Sequence, residues 1–254
     1  MAIAIGMLTA GGVVIAADTP TTVPGYWHIA QGTPHTGGPS QGSMTAAYLF
    51  SAPGNAGYGE ALMKRLARGL VENDTLTDRD ALAPWLAQTA TQFHADYVGA
   101  VSDPVEPHAH LIVATQGDGV TGLWSAENGA VTRHGQFAAI GTGRLQAQGL
   151  LANLWHPYHD VRRAAMLAAY VIFHVKEQVG GCGTGTHVMY LQDNTLHALS
   201  AAEVDDVETL FRLYTTDVEP TVVHYLLGAS PPTGQLVSRG LRSLRRKFGH
   251  AVRC

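Results

Sequence analysis

The sequence predicts an α+β domain built on two central sheets with helices on both outer faces. Three observations carry that prediction. Residues 2–9 and 12–18 are short apolar runs around a Gly11-Gly12 turn, the pattern of a β-hairpin. Helical periodicity then follows residue 54 and again Asp78. From His108 short strand patterns return, and two further helical stretches separate them from a last strand pair. The resulting order is strands, two helices, strands, two helices, strands, helix, which two stacked sheets covered on each side would satisfy.

Taken in order, Pro20, Pro24, Pro34 and Pro39 make 19–43 mostly loop, with a short strand around Tyr26–Ala30, before Met44–Ser51 returns to strand. Gly54-Asn55-Ala56-Gly57 opens a helix with Ala61, Leu62, Leu66 and Leu70 at helical spacing, and a second helix carries Leu82, Trp85, Leu86, Thr89 and Phe93 on one face. His110–Gln116, Gly119–Ser125, Ala130–His134 and Gln136–Ile140 read as strands, and Leu145–Leu154 as a helix. Asp160 caps a helix over Val161–Val179 that is apolar on most faces, hence sandwiched. Strands follow at Thr186–Gln192 and Leu196–Leu199, and Ser200 with Glu203 forms a capping box for a helix to about Tyr214.

Composition narrows the function classes. The 254-residue chain is 46% hydrophobic and 14% charged, which is globular and charge-poor. A net charge of −4 offers no global attraction to nucleic acid, so no nucleic-acid partner is expected. Cys182 and Cys254 form no disulfide framework and no C-x-x-C, which excludes a cysteine-built zinc site and points to a reducing, cytoplasmic setting. The uncharged start lacks a basic region and is broken by Thr9-Ala10-Gly11-Gly12, so it reads as a hairpin rather than an export signal; no run suggests a membrane span. The expected division is a body over 1–229 and a tail over 230–254, bounded by Pro231-Pro232. Arg239, Arg242, Arg245, Arg246 and Lys247 interleave there with Leu236, Leu241, Leu244 and Phe248 as a short basic amphipathic helix. Its face could dock on a neighbouring subunit, touch an anionic surface or simply be solvated.

The first hairpin, the Ser51-Ala52-Pro53-Gly54-Asn55-Ala56 turn and Ala139-Ile140-Gly141-Thr142-Gly143 carry a resemblance. So does Val175-Lys176-Glu177-Gln178-Val179-Gly180-Gly181 before Thr186-His187-Val188-Met189-Tyr190-Leu191. In this order over residues 2–200, the chain resembles the proteasome β-type family, and bacterial homologues more than eukaryotic α-subunits because no helix precedes the first strand. The resemblance implies the N-terminal-nucleophile hydrolase fold, a four-layer αββα sandwich, and assembly into rings. It also implies a peptidase mechanism in which the first residue's hydroxyl or thiol attacks the substrate and a lysine held by a carboxylate tunes it.

Ala2 stands at the nucleophile position, and its methyl group cannot attack a carbonyl. Asp18 matches the family's acidic position, or is a strand-end turn aspartate with local hydrogen bonds. No lysine or arginine precedes Lys64, so the usual lysine is missing. His28, in Tyr26-Trp27-His28-Ile29, falls near that role as a pH-dependent substitute, or is an ordinary half-buried histidine. Gly54 resembles the glycine that supplies the oxyanion N–H, beside an unusual Pro53, and reads equally as a helix-start glycine. Thr142 matches a serine near the nucleophile and otherwise caps a helix. Glu177 matches an aspartate of that network and otherwise is a solvated helix-end charge; Gly180 replaces a second serine. Thr9 as nucleophile would require removal of a core strand, and Cys182 has no base placed beside it. His108-x-His110 and His156-x-x-His159 have metal-ligand spacing without a fixed acidic partner, and neither metal nor cofactor is expected.

The leading expectation is a proteasome-like subunit that keeps the fold and lacks threonine peptidase activity, self-associating or pairing with a paralogue. The alternatives are an active hydrolase of peptides with a different start or an atypical nucleophile, and a small-molecule binding protein on the same fold.

Overall fold

The computed structural model describes residues 3–19, 44–51, helical positions between 58 and 69, 79–100, 109–117, 120–127, 130–183, 185–193 and 195–218. Two compact units divide it, Met1–Val204 and Asp205–Cys254. The expected tail over 230–254, and its boundary, lie outside the described residues.

The first unit contains two antiparallel sheets. Strands β1 (Ile3–Leu8), β2 (Gly12–Thr19), β7 (Phe137–Gly141), β8 (Gly185–Gln192) and β9 (Thr195–Ala198) make one sheet in the order β7-β1-β2-β8-β9. Strands β3 (Met44–Ser51), β4 (Ala109–Gly117), β5 (Val120–Glu127) and β6 (Ala130–Arg133) make the other in sequence order. The helices are α1 (Arg79–Ala100), α2 (Arg144–Leu154), α3 (Val161–Gln178) and α4 (Ala201–Leu213). Helix α1 packs on β5 and β6, whereas α2 and α3 pack on the first sheet, giving the expected order of helix, sheet, sheet, helix.

Strand alternation builds an apolar layer on each face of the second sheet. Between the sheets lie Ala4, Val13, Ile15, Ala17, Ile112, Ala114, Leu123, Ala138, Ile140, Met189 and Leu191. The opposite face of the second sheet offers Leu111, Val113, Trp124 and Ala126 to Leu82, Leu86 and Phe93 of α1 and to Tyr58, Leu62 and Leu66. The stripe expected on α1 is present, with Ala90 buried as well and Trp85 and Thr89 half-buried at its margin.

Local chemistry closes the elements where the sequence places it. The Thr9 amide and hydroxyl both donate to the Gly12 carbonyl, at 3.0 and 2.9 Å, and tighten the first hairpin. The Arg163 amide donates to Asp160 Oδ1 at 2.7 Å, the expected cap of α3. Ser200 and Glu203 form the reciprocal capping box, with the Ser200 amide donating to Glu203 Oε2 at 2.8 Å and the Glu203 amide to Ser200 Oγ at 3.2 Å. No residue of α3 from Ala164 to Lys176 is exposed, as expected of a sandwiched helix. Its inward side includes Ala164, Ala165, Ala168 and Ala169, whose small side chains let the helix approach β2 and β8 closely. In the second unit, Tyr214–Val218 forms a single π-helical turn, and the Thr215 hydroxyl donates to the Phe211 carbonyl at 3.0 Å.

Ile15 sits at the centre of the inter-sheet layer. Ile15→Ala is expected to cost about 3 kcal/mol, because a buried aliphatic side chain is removed from a layer held on both faces. Urea denaturation of the two proteins measures the loss; an unchanged midpoint would mean that this face is not the core.

Candidate functional site

One end of the first sheet gathers the residues singled out in the sequence. Antiparallel register sets Gly141 opposite Ile3 and Asp18 opposite Thr186. Asp18 is 0% exposed at the end of β2. Its Oδ1 accepts the Ile3 amide at 2.8 Å, and its Oδ2 accepts the amide of Gly183 in the turn before β8. The carboxylate therefore joins the start of β1 to a turn that lies 165 residues from Asp18 itself in sequence. These are long-range partners, not the local ones of a turn aspartate.

The turn that delivers the Gly183 amide leaves α3 through Gly181, whose φ of 88° lies in the left-handed region where a side chain would be strained. Gly143 has the complementary task of close approach. A Cβ there would collide with the Val175 side chain, so glycine lets the start of α2 pack against the last turns of α3. This contact brings the Thr142 and Glu177 neighbourhoods to the same end as Asp18. Both of those side chains are exposed. Ala2, His28 and Gly54 lie outside the described residues.

Burial pushes the Asp18 carboxyl above the ordinary aspartate value of 3.8, against the opposing pull of the Gly183 and Ile3 amides, the positive charge of the amino terminus and, last, the Lys176 charge. Lys176, in the last turn of α3, donates to Thr186 Oγ1 at 2.7 Å, and Thr186 is the cross-strand neighbour of Asp18. Lys176 lies far in sequence from the first strands, where the family resemblance places the cation. Spacing gave no signal for it, because 158 residues separate it from Asp18. Cys182, adjacent to Gly183, is half-buried, and burial followed by the Asp18 charge pushes its thiol upward. It rests as a thiol, which is a poor nucleophile.

The histidines separate into small contacts. His110 of β4 meets Glu127 of β5 at 3.3 Å, and Arg144 at the start of α2 meets the same carboxylate at 3.6 Å. Glu127 thus provides the acidic neighbour that sequence spacing did not reveal for His110. These partly exposed pairs contribute about 0–1 kcal/mol each. The rings of His156 and His159 lie 6.0 Å apart. Among the described residues, no group of three or more histidine, cysteine, aspartate or glutamate side chains could hold a metal ion. Also among the described residues, no helix is long and apolar enough to cross a membrane.

Two stacked antiparallel sheets between helix layers, with the hairpin of β1 and β2 at the centre of one sheet, define the fold of the N-terminal-nucleophile hydrolases in its proteasome-related form. No protein-family model and no curated protein matches the sequence. Among solved structures the chain is similar to Anbu (ancestral beta-subunit) from Yersinia bercovieri, with a TM-score of 0.61 at 12% identity, covering 84% of this chain and 97% of that one.

The sign of the Asp18 shift gives a pH prediction. A folded-state value above 3.8 means that the fold favours the protonated carboxyl. Its contribution is greatest below that ordinary value and is lost as pH rises through the raised folded value. Asp18→Asn is expected to abolish this decline. It should also cost about 1–3 kcal/mol, because an amide cannot accept from both the Ile3 and Gly183 N–H groups. Denaturation across the acidic range tests both parts, and parallel pH profiles for the two proteins would contradict the assignment.

Proposed function

We propose that this chain is a proteasome-like subunit that lacks threonine-type peptidase activity and serves a structural or assembly role in an oligomeric ring, with itself or with a paralogue. The observation that carries the reading is the use to which Asp18 is put. Both of its oxygens accept backbone amides, one from β1 and one from the turn before β8, so the carboxylate works as a clamp between segments. The family resemblance gives Ala2 the nucleophile position, where a methyl group has no lone pair to offer. The thiol of Cys182 is a poor substitute, because burial and the Asp18 charge push it upward and away from the reactive thiolate. A clamp that preserves the strand end without an attacking group supports retention of the fold for its surfaces. The free thiol of Cys182 and the low cysteine content support a reducing, cytoplasmic setting.

A second reading has one observation in its favour. Lys176 places a positive charge in the neighbourhood of Asp18, so part of the electrostatics of an active site persists. Under that reading the chain hydrolyses peptides from an atypical or differently located nucleophile.

Two measurements decide between them. Intact mass after treatment with an N-terminal-directed epoxyketone should show no adduct, and stoichiometric labelling would establish the active reading. Light scattering at low and high salt should give a mass several times that of one chain. A monomer under every condition would exclude the assembly role.

A further inference from the structure

We propose that Lys176 is the counter-cation of Asp18, supplied from the last turn of α3 and held in place by the Thr186 hydroxyl. Asp18 and Thr186 are register partners on β2 and β8, so their side chains leave the same face of the sheet as neighbours about 5 Å apart at Cβ. That face is the one covered by α3: the neighbouring positions Val13, Ile15 and Ala17 face the other sheet, and alternation turns Asp18 toward the helix. The Lys176 ammonium reaches down from the helix to Thr186 Oγ1 at 2.7 Å, which brings a full positive charge next to the carboxylate's cross-strand neighbour. A cation in the last turn of a helix is favoured by the helix dipole. Here the same position also serves a carboxylate buried away from water, which needs an opposite charge nearby.

Lys176 is the cationic side chain that acts on Asp18 among the described residues, and the amino terminus adds a second positive charge that also draws the carboxyl down. Strand β1 contributes the Ile3 amide, and its six residues Ile3–Leu8 include no titratable side chain. On β8, His187 follows Thr186 and so emerges on the opposite face, where it is exposed. On α3, His174 stacks on Tyr170, and Glu177 is exposed. The turn before β8 adds the Cys182 thiol, which is neutral at rest.

Lys176 is thus a positioning residue: by charge-balancing Asp18 it keeps the carboxylate able to accept the Ile3 and Gly183 amides. The inference uses the proposed function only for the expectation that this carboxylate needs a cation. It does not depend on ring assembly, so a ring or a monomer in light scattering leaves its test unaffected.

The test is a double-mutant cycle of Asp18→Asn and Lys176→Met in the full chain, read by denaturant unfolding at fixed protein concentration and at two pH values. At about pH 8 the two substitutions should be non-additive by roughly fivefold or more in the unfolding constant, as expected for interacting neighbours. The coupling should disappear at acid pH, where Asp18 carries its proton. Lys176→Arg, which keeps the charge, should restore most of the coupling. A lysine that merely packs would give additive effects, or a coupling unchanged by pH, and either result overturns the proposal. If Lys176→Met does not fold, the cycle with Thr186→Val reads the same contact, and pH-independent additivity there overturns it equally.

Discussion

A carboxylate removed from water must be satisfied by the protein, and at the end of β2 that demand organises a whole end of the molecule. Asp18 is fully buried, and its oxygens take the amides of Ile3 and Gly183. An unsatisfied buried acceptor costs about 1–3 kcal/mol, and an unpaired buried charge more. The start of β1, the register of β2 against β8 and the turn after α3 must therefore all be in place together. The left-handed φ of Gly181 and the close contact between Gly143 and Val175 belong to the same requirement, since they set the path from α3 to β8 and the seat of α2.

The helix layer meets this requirement from above. Ala164, Ala165, Ala168 and Ala169 bring the axis of α3 down onto β2 and β8, and that closeness lets a lysine in its last turn reach Thr186. Larger residues at those alanines would lift the helix and separate Lys176 from the sheet. Packing and electrostatics are thus one device. Inter-sheet burial supplies the stability, whereas the polar contacts choose where strand β1 begins.

Fold and reaction place different demands on a sequence. The αββα sandwich is shared with Anbu at 12% identity, so the architecture survives almost complete change of sequence. Such persistence fits a core defined by alternation and volume rather than by particular side chains. A reaction is more demanding, because attack on a carbonyl requires one atom with a lone pair in one place. The clamp made by Asp18 serves the fold directly, because it ties the start of β1 to the turn before β8.

Local rules made most of the architecture legible. Short apolar runs around a Gly-Gly turn located β1 and β2, and helical spacing located α1 through Leu82, Leu86 and Phe93. The Asp160 cap and the Ser200–Glu203 box could be read directly, because each motif acts within three residues. The order of elements was enough for the layer arrangement. Asp18 was recognisable as a candidate, but its partners were not. Gly183, Lys176 and Thr186 lie more than 150 residues away in sequence, and only strand register and the descent of α3 bring them to it. The same holds for Glu127 beside His110, an antiparallel neighbour that no motif connects. By itself the sequence determined the elements, their caps and the absence of lysine and arginine before Lys64, since each of these is local. The tertiary structure alone decided which lysine comes to lie near Asp18, because electrostatic partnership depends on distance in space and burial.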